Sequence, residues 1–141
     1  MPRIKLSQDD NKYFTSYFDE DLGMYELFWN KESEDMEDED YKTLMLKDKE
    51  LLVAYPDVDF FLLDNRNFLF SMSPDLQEWS AREITSKMFE KNPNIRTAIL
   101  VSSDFIAQLS IEQAIEEDEQ TNETTKYFED EQEAREWILG L

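Results

Sequence analysis

Residues 59–64 read DFFLLD and residues 95–102 read IRTAILVS, two short runs in which apolar side chains follow one another with almost no polar alternation. A strand sends successive side chains to opposite faces, so such a run needs apolar cover on both sides. A parallel sheet with helices on its faces supplies that cover, and helical patterns follow both runs. Leu76, Ser80, Ile84 and Met88 form one stripe, with Trp79 beside it, and NPN at 92–94 ends that helix. After the second run, Phe105, Ile106 and Leu109 suggest a short helical turn. Ser110 then stands three residues before Gln113, the spacing of a capping box, and starts a further helix through Ile111, Ala114 and Ile115.

The remaining elements fit around this frame. KYFTSYF at 12–18 and MYELFW at 24–29 are rich in aromatic and β-branched residues, and DEDLG at 19–23 turns the chain between them into an antiparallel hairpin. Tyr41, Leu44, Met45, Leu52 and Tyr55 recur at helical spacing until Pro56 stops them. After the polar stretch EEDEQTNE, TTKYF at 124–128 reads as a fifth strand. The final helix is capped by Asp130 with Glu133 and carries Ala134, Trp137, Ile138 and Leu141 on one face. The order β-β-α-β-α-β-α-β-α predicts an α/β fold: a mostly parallel five-stranded sheet, one antiparallel strand from the N-terminal hairpin, and some four helices on the faces. The expectation is one domain over residues 1–141, with residues 1–11 a poorly ordered arm.

Charge narrows the function. Thirty-four Asp and Glu face fourteen Lys and Arg, a formal net charge of -20. Such a surface repels phosphate backbones and anionic membranes, so the expected partner is neither nucleic acid nor membrane but a protein, best a basic one. The chain holds no His and no Cys, which removes imidazole bases, thiolate nucleophiles and the usual zinc ligands. Its two glycines, Gly23 and Gly140, build no phosphate-binding loop. The acidic run from Glu32 to Asp40 lacks the Gly and the ligand register of a calcium loop. These absences predict a non-enzyme with no cofactor and no metal. MPRIKLSQDDN at the start has no apolar core of a signal peptide, and the expected location is the cytoplasm.

Four stretches together carry a resemblance: FLLDNRN at 61–67, SPDLQEW at 73–79, TAILVSSDFIAQLSIEQ at 97–113 and KYFEDEQEAREWIL at 126–139. The chain from about Lys12 onward resembles the SpoIIAA-like fold of STAS-type domains, and among them the small stand-alone STAS-like proteins of bacteria. The resemblance implies a regulatory or protein-interaction domain without catalysis. It also implies a phosphorylated serine where a strand leads into a helix, and Ser71 and Ser73 are the nearest equivalents. Read from the residues themselves, Ser73 is a helix N-cap with Pro74 at the first helical position.

A second reading places a small-molecule or lipid site in a crevice at the carboxyl ends of the central strands, where open α/β sheets bind ligands. Asp64, Asn65 and Arg66 end one strand, and Ser102, Ser103 and Asp104 end the next. The plainer alternative makes these residues caps and turn formers. Tyr13, Phe14, Tyr17, Phe18, Tyr25, Phe28 and Trp29 crowd the first hairpin, whose outward face is a candidate contact between two copies of the chain.

The net charge of -20 makes the folded state repel itself. The melting temperature is expected to rise as ionic strength goes from about 0.01 M to about 0.15 M, where the screening length shortens from ~30 Å to ~8 Å. A scanning-calorimetry series in NaCl checks this, and a fall over that range contradicts it.

Overall fold

The computed structural model describes residues 3–117 and 123–140. Six strands lie side by side in chain order: β1 (Arg3–Lys5), β2 (Phe14–Asp19), β3 (Met24–Trp29), β4 (Phe60–Asp64), β5 (Arg96–Leu100) and β6 (Thr125–Phe128). Strand β2 runs antiparallel to both of its neighbours, and β3 to β6 are mutually parallel. The fold is therefore α/β with one antiparallel strand, as the residue pattern predicts. It differs at the N-terminus, where part of the expected arm pairs with β2 as a sixth strand. Ile4 lies opposite Phe18 there, and Leu6 N–H donates to Ser16 O at 2.9 Å.

The helices follow their capping signals. Helix α1 (Asp38–Leu52) opens with Glu37 and Asp40 closing a reciprocal capping box, so the acidic run ends in a first turn that favours negative charge. Ser73 caps α2 (Pro74–Ser80), its Oγ accepting from Leu76 N–H at 3.2 Å. A π-helical turn at Ala81–Thr85 leads directly into α3 (Ser86–Lys91). Helix α4 (Phe105–Glu116) starts at an Asp104 cap and runs straight through Ser110. The expected break at Ser110 is absent because its hydroxyl donates back to Ala107 O at 2.8 Å and accepts Met72 N–H at 3.2 Å, a use compatible with the helix interior. Asp130 caps α5 (Glu131–Leu139), which Gly140 ends at φ +75°. Leu141, the last position of that predicted stripe, lies outside the described residues.

Right-handed crossovers between strands that advance in one direction all pass on one side of the sheet. Here α1, α2 with α3, and α4 pack on one face, over Tyr25, Leu27, Trp29 and Ile99. Among the described residues, α5 is the one helix that covers the other face. Met24, Leu62, Ala98 and Leu100 of the sheet and Ala134 and Ile138 of α5 are fully buried between the two. A line of alternating charges anchors this lone helix. Arg66 grips Asp64 at 2.7 Å and reaches Glu131 at 3.1 Å, and Arg135 joins Glu131 at 2.9 Å. Arg135 and Arg3 then each meet a carboxylate oxygen of Glu26 at 2.7 Å. Glu26 is buried, so the two arginines supply the compensation that a charge away from water requires.

Gly23 joins the hairpin to β4. Its carbonyl accepts from Asp59 and Phe60 N–H at 2.8 and 3.1 Å, and its φ is +69°. A Cβ at this position would stand 2.8 Å from Asp57 O. Gly23→Ala is expected to lower stability by more than ~1 kcal/mol, since left-handed backbone and a backbone clash act together. Urea denaturation reads the change, and an unaltered midpoint contradicts this account of the turn.

Candidate functional site

A cavity of about 130 Å³ lies inside the more heavily covered layer. Its floor is the sheet, through Tyr25 and Leu27 of β3, Phe61 and Leu63 of β4, and Thr97 and Ile99 of β5. Met45, Asp48 and Leu52 of α1 form one wall. Ser80, Ile84, Thr85 and Met88, on and beside the π turn, form the roof, and Ile111, Ala114 and Ile115 of α4 close the far side. The wide turn displaces the helix locally, a distortion that recurs at functional sites. Lys49 Nζ ties α1 to this turn through Glu83 O at 3.1 Å.

The cavity reaches the surface. Phe61 and Leu63 lie on an interior strand yet are only half-buried, whereas Leu62 between them, facing α5, is fully covered. Ile84, Thr85, Ala114 and Ile115 are also half-buried, so the roof helix and α4 leave a slot above the middle of the sheet.

The lining is mainly apolar with a few polar groups placed in it. Tyr25 Oη donates to Asp48 Oδ2 at 2.6 Å, both residues being buried. Burial pushes the Asp48 carboxyl above its usual range, against the opposing hydrogen bond from Tyr25. Burial and the neighbouring Asp48 carboxyl raise the Tyr25 phenol well above its own range. Tyr41 Oη and Ser80 Oγ satisfy each other at 2.9 Å. Asn65 differs. It is 3% exposed, and its Oδ1 finds no hydrogen-bond partner. Among the described residues, the other such buried side-chain atom is Ser16 Oγ, which lies within electrostatic reach of the Tyr25–Asp48 pair without a bond of normal geometry.

The residues singled out at the carboxyl ends of the strands divide between the two faces. Asp64 and Arg66 pair with each other and face α5, where the Asp64 hydrogen bond makes Arg66 hold its proton more tightly than usual. Asn65 turns the other way, into the cavity. Ser102 Oγ donates to Phe68 O at 2.6 Å, Ser103 Oγ donates to Arg66 O at 3.2 Å, and Asp104 caps α4 through Ala107 N–H at 2.9 Å. The two serines staple the loop after β4 to the loop after β5. Ser71 is exposed beside this loop, and Ser73 is engaged as the cap of α2. In the hairpin, Phe14, Phe18, Tyr25 and Trp29 enter the larger core, with Tyr13 packed against it. Tyr17 and Phe28 meet edge to face at 6.1 Å, and Arg3 stacks over Tyr17 at 4.1 Å.

Asp48, Tyr25 and Ser80 join the site although the sequence reading does not assign them there. Asp48 had a visible signal: it shares the buried face of α1 with Tyr41, Met45 and Leu52, an acid on an apolar stripe. Among the described residues no cluster of His, Cys, Asp and Glu is placed to hold a metal, and no helix is long and apolar enough to cross a membrane.

Since Asp48 gives up its proton less readily folded than unfolded, the folded chain binds more protons just above the ordinary carboxylate range, and this group's contribution to stability falls as pH rises through that interval. Asp48→Asn keeps an acceptor for Tyr25 and removes the titration. The melting temperature of the variant minus that of the parent is expected to grow between about pH 4 and about pH 7. A flat or shrinking difference shows that Asp48 ionises as freely in the fold as outside it.

Comparison of the chain with protein-family models, with curated proteins and with solved structures yields no match.

Proposed function

We propose that this chain is a non-catalytic binding domain whose site is the cavity beneath the π turn, and that it holds a compact, largely apolar molecule bearing one hydrogen-bond donor. The observation that carries the reading is Asn65, a buried residue within the mainly apolar lining whose Oδ1 has no hydrogen-bond partner. An unsatisfied buried acceptor costs about 1–3 kcal/mol, a cost that a donor on a ligand relieves. A single water also relieves it but leaves most of the volume unfilled, since a water occupies about 30 Å³ and needs several polar neighbours. The volume matches a single aromatic ring, because cavities of about 150 Å³ take up benzene. Larger lipids exceed this space.

The pairing of the other polar groups supports binding without catalysis. Tyr25 with Asp48 and Tyr41 with Ser80 are already engaged with each other. The strand–helix order also supports keeping the chain among STAS-like domains, as a proposal that rests on that order and on the four stretches quoted above.

Phenol and toluene separate the two parts of the claim, because both match the volume and only phenol donates a hydrogen bond. Millimolar phenol is expected to raise the melting temperature by a few degrees and to shift the amide and methyl resonances of Leu63, Ile99 and Ile111, with toluene weaker. Asn65→Leu is expected to abolish the preference for phenol while raising the stability of the unliganded protein, as removing an unpaired buried acceptor does. Lining resonances that ignore both compounds overturn the reading.

A further inference from the structure

Helix α4 turns one face to the cavity and presents another that nothing in the described structure packs upon. Phe105 is 77% exposed, Ile106 57% and Leu109 43%, and the first two are more exposed than any other large apolar residue described. Ala107, Ser110 and Ile111 supply the buried face of the same helix. Phe105, Leu109, Glu112 and Glu116 follow at i, i+4, i+7 and i+11, a single row along the opposite side. The row is apolar over its first turn and a half and acidic over the rest.

The stretch of sequence that contains this row carries charge of one sign. From Thr97 to Thr125 the sequence contains seven acids and no Lys or Arg. Burial, with smaller contributions from the nearby Glu112 and Glu116 carboxylates, pushes the Tyr127 phenol up to about 12. A second copy of a chain carrying -20 would meet the same charge on itself, which disfavours self-association through this face.

We infer that the outer row of α4 is a docking surface for a basic amphipathic helix of a protein partner. Two apolar side chains of that helix, spaced three or four residues apart, would cover Phe105, Ile106 and Leu109. Lys or Arg one to two turns further along would meet Glu112 and Glu116. Helix-in-groove recognition reads anchors at this spacing, and opposite charges at the rim set the register and speed encounter. The surface is independent of the ligand site, since Phe105, Ile106 and Leu109 do not line the cavity.

A synthetic amphipathic peptide with a Leu stripe flanked by Lys tests the inference, beside a control in which the Leu stripe is replaced by Gln at unchanged charge. The expected result is binding of the Leu peptide with amide shifts concentrated between residues 105 and 116, and at least ~10-fold weaker binding of the Gln control. Phe105→Ser with Leu109→Ser is expected to weaken the Leu peptide by a similar factor. Glu112→Gln with Glu116→Gln is expected to flatten the dependence of binding on salt. All four residues lie at the helix surface, and unchanged melting curves show that the variants fold. Equal binding of both peptides, shifts spread over the acidic surface, or dimerisation of the protein that Phe105→Ser with Leu109→Ser abolishes, each overturns the inference.

Discussion

The direction in which the parallel strands advance governs everything else in this molecule. Strands β3 to β6 add one after another on the same side, so each right-handed crossover must pass over the same face. Three helical connections therefore crowd one layer, and the other depends on a single helix. The two layers solve different problems. Between α5 and the sheet, six fully buried apolar residues, two of them on the helix, make a thin core, and the alternating charges from Arg3 to Asp64 fix how the helix lies. Much of that line is partly exposed, where ion pairs contribute little net stability. Glu26 is the exception, because its own carboxylate is buried and depends on Arg3 and Arg135 for compensation.

The crowded layer has the opposite difficulty. Helix α1, the helix with the π turn, and α4 arrive from separate crossovers and must share one sheet surface about four strands wide. Their cylinders do not tile it without a gap, and the gap falls over β4, where Phe61 and Leu63 stay half-buried in the middle of the sheet. The Tyr25–Asp48 and Tyr41–Ser80 hydrogen bonds brace the sides of this gap and link sheet to helix and helix to helix. A core of apolar residues alone would tend to collapse into such a space, whereas paired polar groups fix the distance between the walls.

The fold was legible in the residues to the extent that its signals are local. The two-sided apolar runs of β4 and β5, the aromatic hairpin, Ser73 before Pro74, and Asp130 before α5 each announce an element within a few positions. Strand β1 was not legible, because Arg3–Lys5 is short and polar and is held by distant partners, β2 and Glu26. The start of α4 was misread for a related reason. Phe105, Ile106 and Leu109 are apolar without being core, which obscures the helical period, and Ser110 offers a capping pattern that the tertiary contact with Met72 puts to another use. The π turn leaves no mark in the sequence. Of the candidate site, Asn65 was legible as a residue at a strand end, while its burial depends on helices that begin or end nine or more residues away.

The parity of one strand explains how neighbouring residues come to serve separate purposes. Alternation persists for two residues beyond the end of β4, so Asp64 and Arg66 point to the α5 face and Asn65 between them points to the other. The three side chains therefore do not share one face: Asp64 and Arg66 pair on the α5 side, and Asn65 lines the cavity. The loop after β5 reinforces the division, because Ser102 and Ser103 hold Phe68 and Arg66 by their carbonyls and keep the backbone on either side of Asn67 from relaxing. Asn65 is thus fixed by its neighbours in a position where its own acceptor goes unpaired. A chain under no constraint beyond stability would place an apolar residue there, since Leu or Met would fill part of the cavity and remove the desolvation cost. The unpaired amide at that position is the feature on which the proposed binding role rests.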